Sequence, residues 1–218
     1  MRTRVKICGI TRCEDAQLAV DAGVDAIGLV FYEKSPRFVT NKRAAEISRL
    51  VPAFVSRVAL FKDADKYMIR SVLEDVEIDL IQFHGSETAD FCEQFDQPYI
   101  KALGMKGADH DVNFLLANVK KYQSAKALLL DGHAPGEAGG TGNSFDWASI
   151  AAVSNTTAAK PVVLAGGLTS ENVKQAIDLV HPFAVDVSSG VESSPGIKDK
   201  DKISAFMRNV SGRNVSRL

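Results

Sequence analysis

A lysine and a cysteine stand two positions apart in a short apolar segment near the start of the chain, RVKICG at 4–9. Side chains alternate between the two faces of a β-strand, so a strand here would place Lys6 and Cys8 on one face and Val5 and Ile7 on the other. A neighbouring cation stabilises a thiolate and lowers its pKa from the free value of roughly 8.5. Cys8 is therefore a candidate base or nucleophile, although a buried, inert cysteine fits this position equally well.

An aspartate ends another apolar segment, where Asp131 follows the four apolar residues 127–130. Burial of this carboxyl group would raise its pKa and keep it protonated, so that it could act as an acid. An acid at Asp131 and a base at Cys8 would serve a reaction that moves protons on two sides of one substrate. The alternative is an aspartate that caps the next loop by accepting backbone N–H groups.

Glycine-rich turns follow three later apolar segments, at 139–142, 166–167 and 188–190. Glycine lets backbone N–H groups approach an anion, and phosphate sites in α/β barrels often use the loops after strands seven and eight. We therefore predict a phosphate site whose residues are Gly166, Gly167, Ser189 and Gly190, with Gly140 and Gly142 as candidate neighbours. The stretch 132–144 contains five glycines and few large apolar residues, which predicts a loop able to close over a ligand.

Other polar residues lie where the same segments end. Arg37, in the SPRF stretch, could hold a substrate carboxylate through its planar fork, or could be a solvated loop residue. Lys6, His84 and Asp186 are candidate neighbours of the site with no assigned step, and Gln82 shares the face of His84. The chain has no HExxH motif, EF-hand loop or other spacing of metal ligands, so we expect no metal.

Repeated units must position these residues, because each of eight short apolar segments precedes a stretch with helical periodicity. This alternation is typical of βα units around a parallel sheet. Eight units in one chain of this length predict a (β/α)₈ barrel of a single domain over 1–218, with an open doubly wound sheet as the alternative. The segments are RVKICG (4–9), AIGLVF (26–31), SRVALF (56–61), DLIQFHG (79–85), PYIKAL (98–103), AKALLLDG (125–132), KPVVLAGG (160–167) and PFAVDVSSG (182–190).

The composition is that of a globular protein. The chain has 218 residues, 45% of them apolar, with 26 Lys+Arg against 27 Asp+Glu. This near-neutral balance gives no electrostatic reason to bind nucleic acid or an anionic membrane, and no apolar run approaches the ~18 residues of a membrane span. Cys8, Cys13 and Cys92 are odd in number and form no CxxC pair, so we expect free thiols and a cytoplasmic protein.

Together the motifs resemble the phosphoribosylanthranilate isomerase family, barrel enzymes of tryptophan biosynthesis. They occur in the family's order from residue 6 to about 207, which is nearly the whole chain. The pairing of KICGIT with DVSSGVE is the most specific part. The motifs are KICGIT (6–11), SPR (35–37), QFHG (82–85), LLLDG (128–132), GGTG (139–142), FDW (145–147), LAGGLTSENV (164–173) and DVSSGVESSPGIKD (186–199).

This resemblance implies an Amadori rearrangement of a phosphosugar substrate without metal or organic cofactor. Asp131 matches the family's acid, Cys8 its base and Arg37 the residue that holds the substrate's carboxylate, with the phosphate at the turns after strands seven and eight. Members of the family occur as monomers or homodimers.

Three other functions are also compatible with the sequence. The first is the sister sugar isomerase of histidine biosynthesis, for which a carboxylate is expected at the position of Cys8. The second is a Schiff-base aldolase that uses Lys101 or Lys6 as its nucleophile. The third is a noncatalytic phosphosugar-binding module, which would bind its ligand without turnover.

Overall fold

The computed structural model describes residues 2–105, 112–132, 147 and 160–212. Eight strands in these ranges coincide with the eight predicted apolar segments. The predicted lid, with Gly140 and Gly142, and most of the predicted helix around Trp147 lie outside the described residues. The strands are β1 (Arg4–Cys8), β2 (Ala26–Val30), β3 (Ser56–Phe61), β4 (Leu80–Phe83), β5 (Tyr99–Gly104), β6 (Ala127–Asp131), β7 (Val162–Ala165) and β8 (Ala184–Val187).

Helices separate the strands, and several begin at a side chain that caps free backbone N–H groups. Thr40 accepts from the N–H of Arg43, and Asp65 accepts from those of Tyr67 and Met68. The described helices are α1 (Cys13–Asp21), α2 (Asn41–Ser48), α3 (Lys66–Asp75), α4 (Ala89–Cys92), α5 (Val112–Lys121), α6 (Val173–Val180) and α7 (Lys200–Ser211).

The eight strands close into a parallel barrel in chain order, so the predicted (β/α)₈ architecture is confirmed. Closure is made by β1 and β8, where Arg4 pairs with Ala184 and Lys6 with Asp186. An open sheet would leave these two strands as unpaired edges, so that alternative is wrong. After β8 the chain forms a 3₁₀ turn (Ser189–Val191) and a small hairpin of β9 (Glu192–Ser194) and β10 (Ile197–Lys198).

Two apolar layers result from the alternation of side chains along the strands. The outward residues, such as Val5 and Ile7, belong to the main core between barrel and helices. Inward apolar residues of strands β4 to β8 form a second cluster inside the barrel, which includes the fully buried Leu129. None of the helices that the structure describes has the length and hydropathy that a membrane span requires.

Candidate active site

A cavity of about 110 Å³ opens to solvent at the carboxyl ends of the strands. Most of the predicted site residues line it, since inward-facing strand ends and the following turns converge there. The predicted residues along its wall are Cys8, Arg37, Gln82, His84, Asp131, Gly166, Gly167, Asp186, Ser188 and Ser189.

A buried ion pair crosses the seam where the barrel closes. The ammonium of Lys6 lies 2.9 and 3.0 Å from the two carboxylate oxygens of Asp186. Burial lowers the pKa of Lys6, but attraction to Asp186 and Cys8 outweighs burial and raises this pKa overall. Lys6 therefore remains charged and paired, which makes it a poor amine nucleophile for a Schiff base.

The thiol of Cys8 points to the same side of β1 as Lys6, as predicted, but its pKa moves in the opposite direction from the expected one. Burial raises the pKa of Cys8, the charge of Lys6 lowers it, and the charge of Asp186 raises it again. The net shift is upward because Cys8 is almost fully buried and the cation beside it is shared with a carboxylate. Lys6 does lower the pKa of Cys8, as expected, but the expected net lowering is wrong because burial and Asp186 outweigh Lys6.

Three side chains from β4, its carboxyl end and β6 form a polar chain beside the cavity. His84 Nε2 lies 3.3 Å from a carboxylate oxygen of Asp131, and its Nδ1 lies 2.9 Å from the amide nitrogen of Gln82. An amide N–H that donates to Nδ1 leaves the ring proton on Nε2, where it faces Asp131. The structure therefore gives His84 a definite partner, which the sequence did not reveal.

The guanidinium of Arg37 is buried and already holds one carboxylate. Its Nε and Nη2 atoms donate to the two carboxylate oxygens of Glu192 at 2.8 and 2.6 Å. Glu192 also accepts from the ammonium of Lys198 at 2.7 Å. Arg37 lines the cavity, so its prediction as a solvated loop residue is wrong, and a ligand can reach only its remaining donors.

Tight turns connect β7 and β8 to the rim of the cavity. Gly166 and Gly167 have φ of 90° and 66°, in the left-handed region that favours glycine. Gly190 is needed for a different reason, because a Cβ atom there would lie 1.9 Å from the carbonyl oxygen of Leu168. Ser189 lines the cavity, whereas Gly190 packs behind it and brings the two turns together.

Lys101 lies outside the barrel interior, contrary to its role in the aldolase alternative. It faces the helical layer, where its ammonium donates to the carbonyl of Gly85 at 2.6 Å and lies 3.1 Å from a carboxylate oxygen of Glu87. Cys92 is also buried in that layer, and burial raises its pKa to about 12, in agreement with a structural role. Over the described ranges, no group of three or more His, Cys, Asp or Glu side chains is arranged to hold a metal ion.

Glu192 and Lys198 are the polar residues that reasoning from the sequence missed. Both lie in the DVSSGVESSPGIKD stretch, but they follow β8 by several residues and no strand pattern places them near the cavity. The signal in the sequence was the short spacing of Glu192 and Lys198, because a hairpin between them brings the two side chains together.

Comparisons with known proteins agree with this geometry. A family model described as N-(5'phosphoribosyl)anthranilate (PRA) isomerase matches residues 5–209. A relative from Pseudomonas savastanoi pv. phaseolicola, named N-(5'-phosphoribosyl)anthranilate isomerase, is 52% identical over 210 residues, which cover 96% of this chain and 98% of the relative.

Solved structures give the same result. The crystal structure of phosphoribosyl anthranilate isomerase from Thermotoga maritima has a TM-score of 0.86 at 40% identity, covering 97% of this chain and 100% of that one. Another, in complex with reduced 1-(o-carboxyphenylamino)-1-deoxyribulose 5-phosphate, has a TM-score of 0.83 at 39% identity, with the same coverage of 97% and 100%. The chain therefore belongs to the N-(5'-phosphoribosyl)anthranilate isomerase family of enzymes.

Proposed function

We propose that this chain catalyses the Amadori rearrangement of N-(5-phosphoribosyl)anthranilate to 1-(2-carboxyphenylamino)-1-deoxyribulose 5-phosphate, a step of tryptophan biosynthesis. Asp131 is the general acid and Cys8 the general base. The observation that supports this best is that the carboxyl group of Asp131 and the thiol of Cys8 line one cavity from two different strands, β6 and β1. A substrate between them can receive a proton at one atom and lose one at another.

The acid acts first in this scheme. Asp131 donates its proton to the ring oxygen of the ribose, the bond between that oxygen and C1 breaks, and the nitrogen lone pair forms a C=N bond. The product is an open-chain, protonated Schiff base and an aspartate carboxylate. His84, 3.3 Å from this carboxylate, is placed to stabilise the negative charge that remains on Asp131.

The base then acts on C2 of the open chain. A cationic Schiff base in the cavity lowers the pKa of a thiol beside it, so Cys8 releases its proton to the solvent that reaches the cavity and becomes a thiolate once the ring has opened. Cys8 takes the proton from C2, the C–H electrons form the C1=C2 bond, and the C=N electrons return to nitrogen. The resulting enolamine gains a proton at C1 and loses one from the C2 hydroxyl to give the ketone.

Anchors at both ends of the substrate would hold C1 and C2 between these groups. Arg37 binds the carboxylate of the anthranilate ring, and the phosphate lies against the turns formed by Gly166, Gly167, Ser189 and Gly190. Holding the reacting atoms in place lowers the entropic cost of both proton transfers. All of these residues belong to a single chain, so we expect a monomer or a homodimer to be active.

The direct test is the initial rate at which the purified protein consumes phosphoribosylanthranilate, generated in situ and followed by the loss of its fluorescence, in buffer with EDTA. We expect turnover in the wild type, and a decrease in kcat of about 10²–10⁴-fold in Cys8→Ala and in Asp131→Asn. Both variants should bind reduced 1-(o-carboxyphenylamino)-1-deoxyribulose 5-phosphate, called the reduced product below, with nearly wild-type affinity. Cys13→Ala, a cysteine on helix α1, is the matched control and should retain full activity.

Two results would contradict the proposal. Near wild-type rates in either active-site variant would remove the role assigned to that residue. An absence of turnover in a folded wild type that still binds the reduced product would favour a phosphosugar-binding module or the sister isomerase.

A further inference from the structure

Three buried charges form a cluster behind the cavity wall, at the junction of the β2–α2 loop with hairpin β9–β10. This charge cluster consists of Arg37, Glu192 and Lys198, whose side chains are 9%, 4% and 0% exposed. Of the three, only Arg37 lines the cavity. The other two residues are not used by any step of the rearrangement.

Lys198 is held in its charged form by its partners. Its Nζ atom lies 2.7 Å from the carbonyl oxygen of Cys8, 3.1 Å from that of Ser188 and 2.7 Å from a carboxylate oxygen of Glu192. Three acceptors require three N–H donors, which an ammonium has and a neutral amine does not. Burial lowers the pKa of Lys198, and attraction to Glu192 opposes this effect without cancelling it, so the net shift is downward and the charged form rests on the three acceptors.

Glu192 is held in its ionised form by the same network. Burial raises the pKa of its carboxyl group, but the hydrogen bond from Arg37 and the charge of Lys198 more than compensate, so this pKa is lowered overall. The cluster therefore contains two positive charges and one negative charge, and the neighbouring Asp15, which accepts from the main-chain N–H of Lys198, is neutralised by its ion pair with Arg12. The buried pair of Lys6 with Asp186, at the seam between β1 and β8, carries no net charge.

The net charge of the cluster matters for Arg37, because a guanidinium that is already paired with one carboxylate attracts a second carboxylate only weakly. Gly9 lets the Arg37 side chain pass close to the chain, since a Cβ atom at Gly9 would lie 2.4 Å from Cδ of Arg37. The bidentate bond to Glu192 then fixes the guanidinium with its remaining donors available to the cavity. Without Lys198, Glu192 would still orient Arg37, but the Arg37–Glu192 pair would carry no net charge.

We propose that Lys198 determines the preference for a carboxylate-bearing substrate by offsetting the charge of Glu192, so that the cluster keeps one net positive charge for the substrate's carboxylate. Lys198 is thus a positioning and specificity residue that acts through Glu192 and Arg37 without touching the ligand. This inference rests on the proposed function, since it takes Arg37 as the residue that binds the anthranilate carboxylate.

The test compares two stable ligands by titration calorimetry at low ionic strength: reduced 1-(o-carboxyphenylamino)-1-deoxyribulose 5-phosphate and the same compound without its ring carboxyl group. The dissociation constant of the carboxyl-free ligand divided by that of the carboxyl-bearing ligand measures the carboxylate preference. A lower ratio means a weaker preference. We expect Lys198→Met to lower this ratio about tenfold, in line with the loss of one charge-assisted interaction. The double variant Glu192→Gln with Lys198→Met restores one net positive charge, and its ratio should return to within about threefold of wild type.

Two controls separate charge from structure. Lys202→Met removes an exposed lysine that donates to the main-chain carbonyl of Glu192, and it should leave the ratio unchanged. Arg37→Ala should abolish the preference altogether. Binding of the carboxyl-free ligand reports whether each variant is folded, because this ligand uses only the sugar and phosphate contacts.

The outcomes are distinct. If Arg37→Ala loses the preference but Lys198→Met keeps it, or if the double variant is no better than Lys198→Met, the inference is wrong and the proposed function stands. If Arg37→Ala keeps the preference, the role of Arg37 in the proposed function is wrong and the inference fails with it. If Lys198→Met does not fold, Glu192→Gln alone decides: the inference requires a ratio at least equal to wild type, and a ratio as low as that of Arg37→Ala overturns it.

Discussion

At the scale of single residues, burial and the pairing of charges together determine the protonation of Cys8 in the cavity. The ammonium groups of Lys6 and Lys198 lower the pKa of the Cys8 thiol, and the carboxylate of Asp186 raises it. Burial is the largest influence and raises this pKa. Cys8 therefore rests as a thiol, and a positive charge on the bound intermediate is what makes its thiolate accessible.

The opposing effects of Lys6 and Asp186 predict shifts of opposite sign. Lys6→Met removes a charge that lowers the pKa of Cys8, so the pKa should rise further, whereas Asp186→Asn removes a charge that raises it, so the pKa should fall. The measurement is the pH dependence of alkylation by iodoacetamide, followed by mass spectrometry on the peptide that contains Cys8. Cys13, which is partly exposed on helix α1, is the internal reference. Identical midpoints in all three proteins would show that neither charge acts on Cys8.

At the scale of elements, the rim of the cavity depends on two turns that touch. The turn after β7 and the 3₁₀ turn after β8 meet where Gly190 packs on the carbonyl of Leu168. The φ of Gly190 is not in the left-handed region, so this glycine is required by space and not by backbone conformation. Gly23, with φ of 82° and open space around it, is the opposite case.

This contrast predicts different results for two alanine substitutions. Gly190→Ala should push the two turns apart, lower the free energy of unfolding by about 1–3 kcal/mol and weaken phosphate binding. Gly23→Ala should cost roughly 1 kcal/mol through backbone strain and leave phosphate binding unchanged. Denaturant unfolding and titration with the reduced product measure the two quantities. Wild-type affinity in Gly190→Ala would show that the contact between the turns does not shape the phosphate site.

At the scale of the whole molecule, one closed sheet serves both layers of the core. Each strand contributes outward residues to the core beneath the helices and inward residues to the barrel interior. The seam between β1 and β8 joins the first and last strands of the barrel, and the Lys6–Asp186 pair lies at this seam. Because no strand can leave the barrel without opening both layers, we propose that residues 1–218 form a single domain.

A single domain predicts one calorimetric unfolding transition that responds as a whole to ligand. At a free concentration of 100 times its Kd, the reduced product should raise the free energy of unfolding by about 2.7 kcal/mol. Differential scanning calorimetry with and without the ligand measures this effect. A second transition that the ligand does not move would indicate an independent unit within the chain and contradict the proposal.

The sequence predicted the repeating units well, because apolar runs and helical periodicity are local properties of the chain. All eight strands fall on predicted segments, and the rule that barrel sites lie at the carboxyl ends of strands selected Cys8, Asp131 and Asp186, which do line one cavity. The roles of Cys8 and Asp131 as base and acid remain predictions. The family, too, was identified from motifs and is confirmed by the comparisons.

What the sequence alone determined was the order of the elements, the family and the residue types at the ends of the strands. Only the tertiary structure decided which charges meet: Arg37 and Glu192 are 155 positions apart, and Lys6 and Asp186 are 180 apart. The direction of the Cys8 pKa shift was decided there as well. The physical reason is that both ion pairing and desolvation depend on distances across a closed barrel, which neighbours along the chain do not encode.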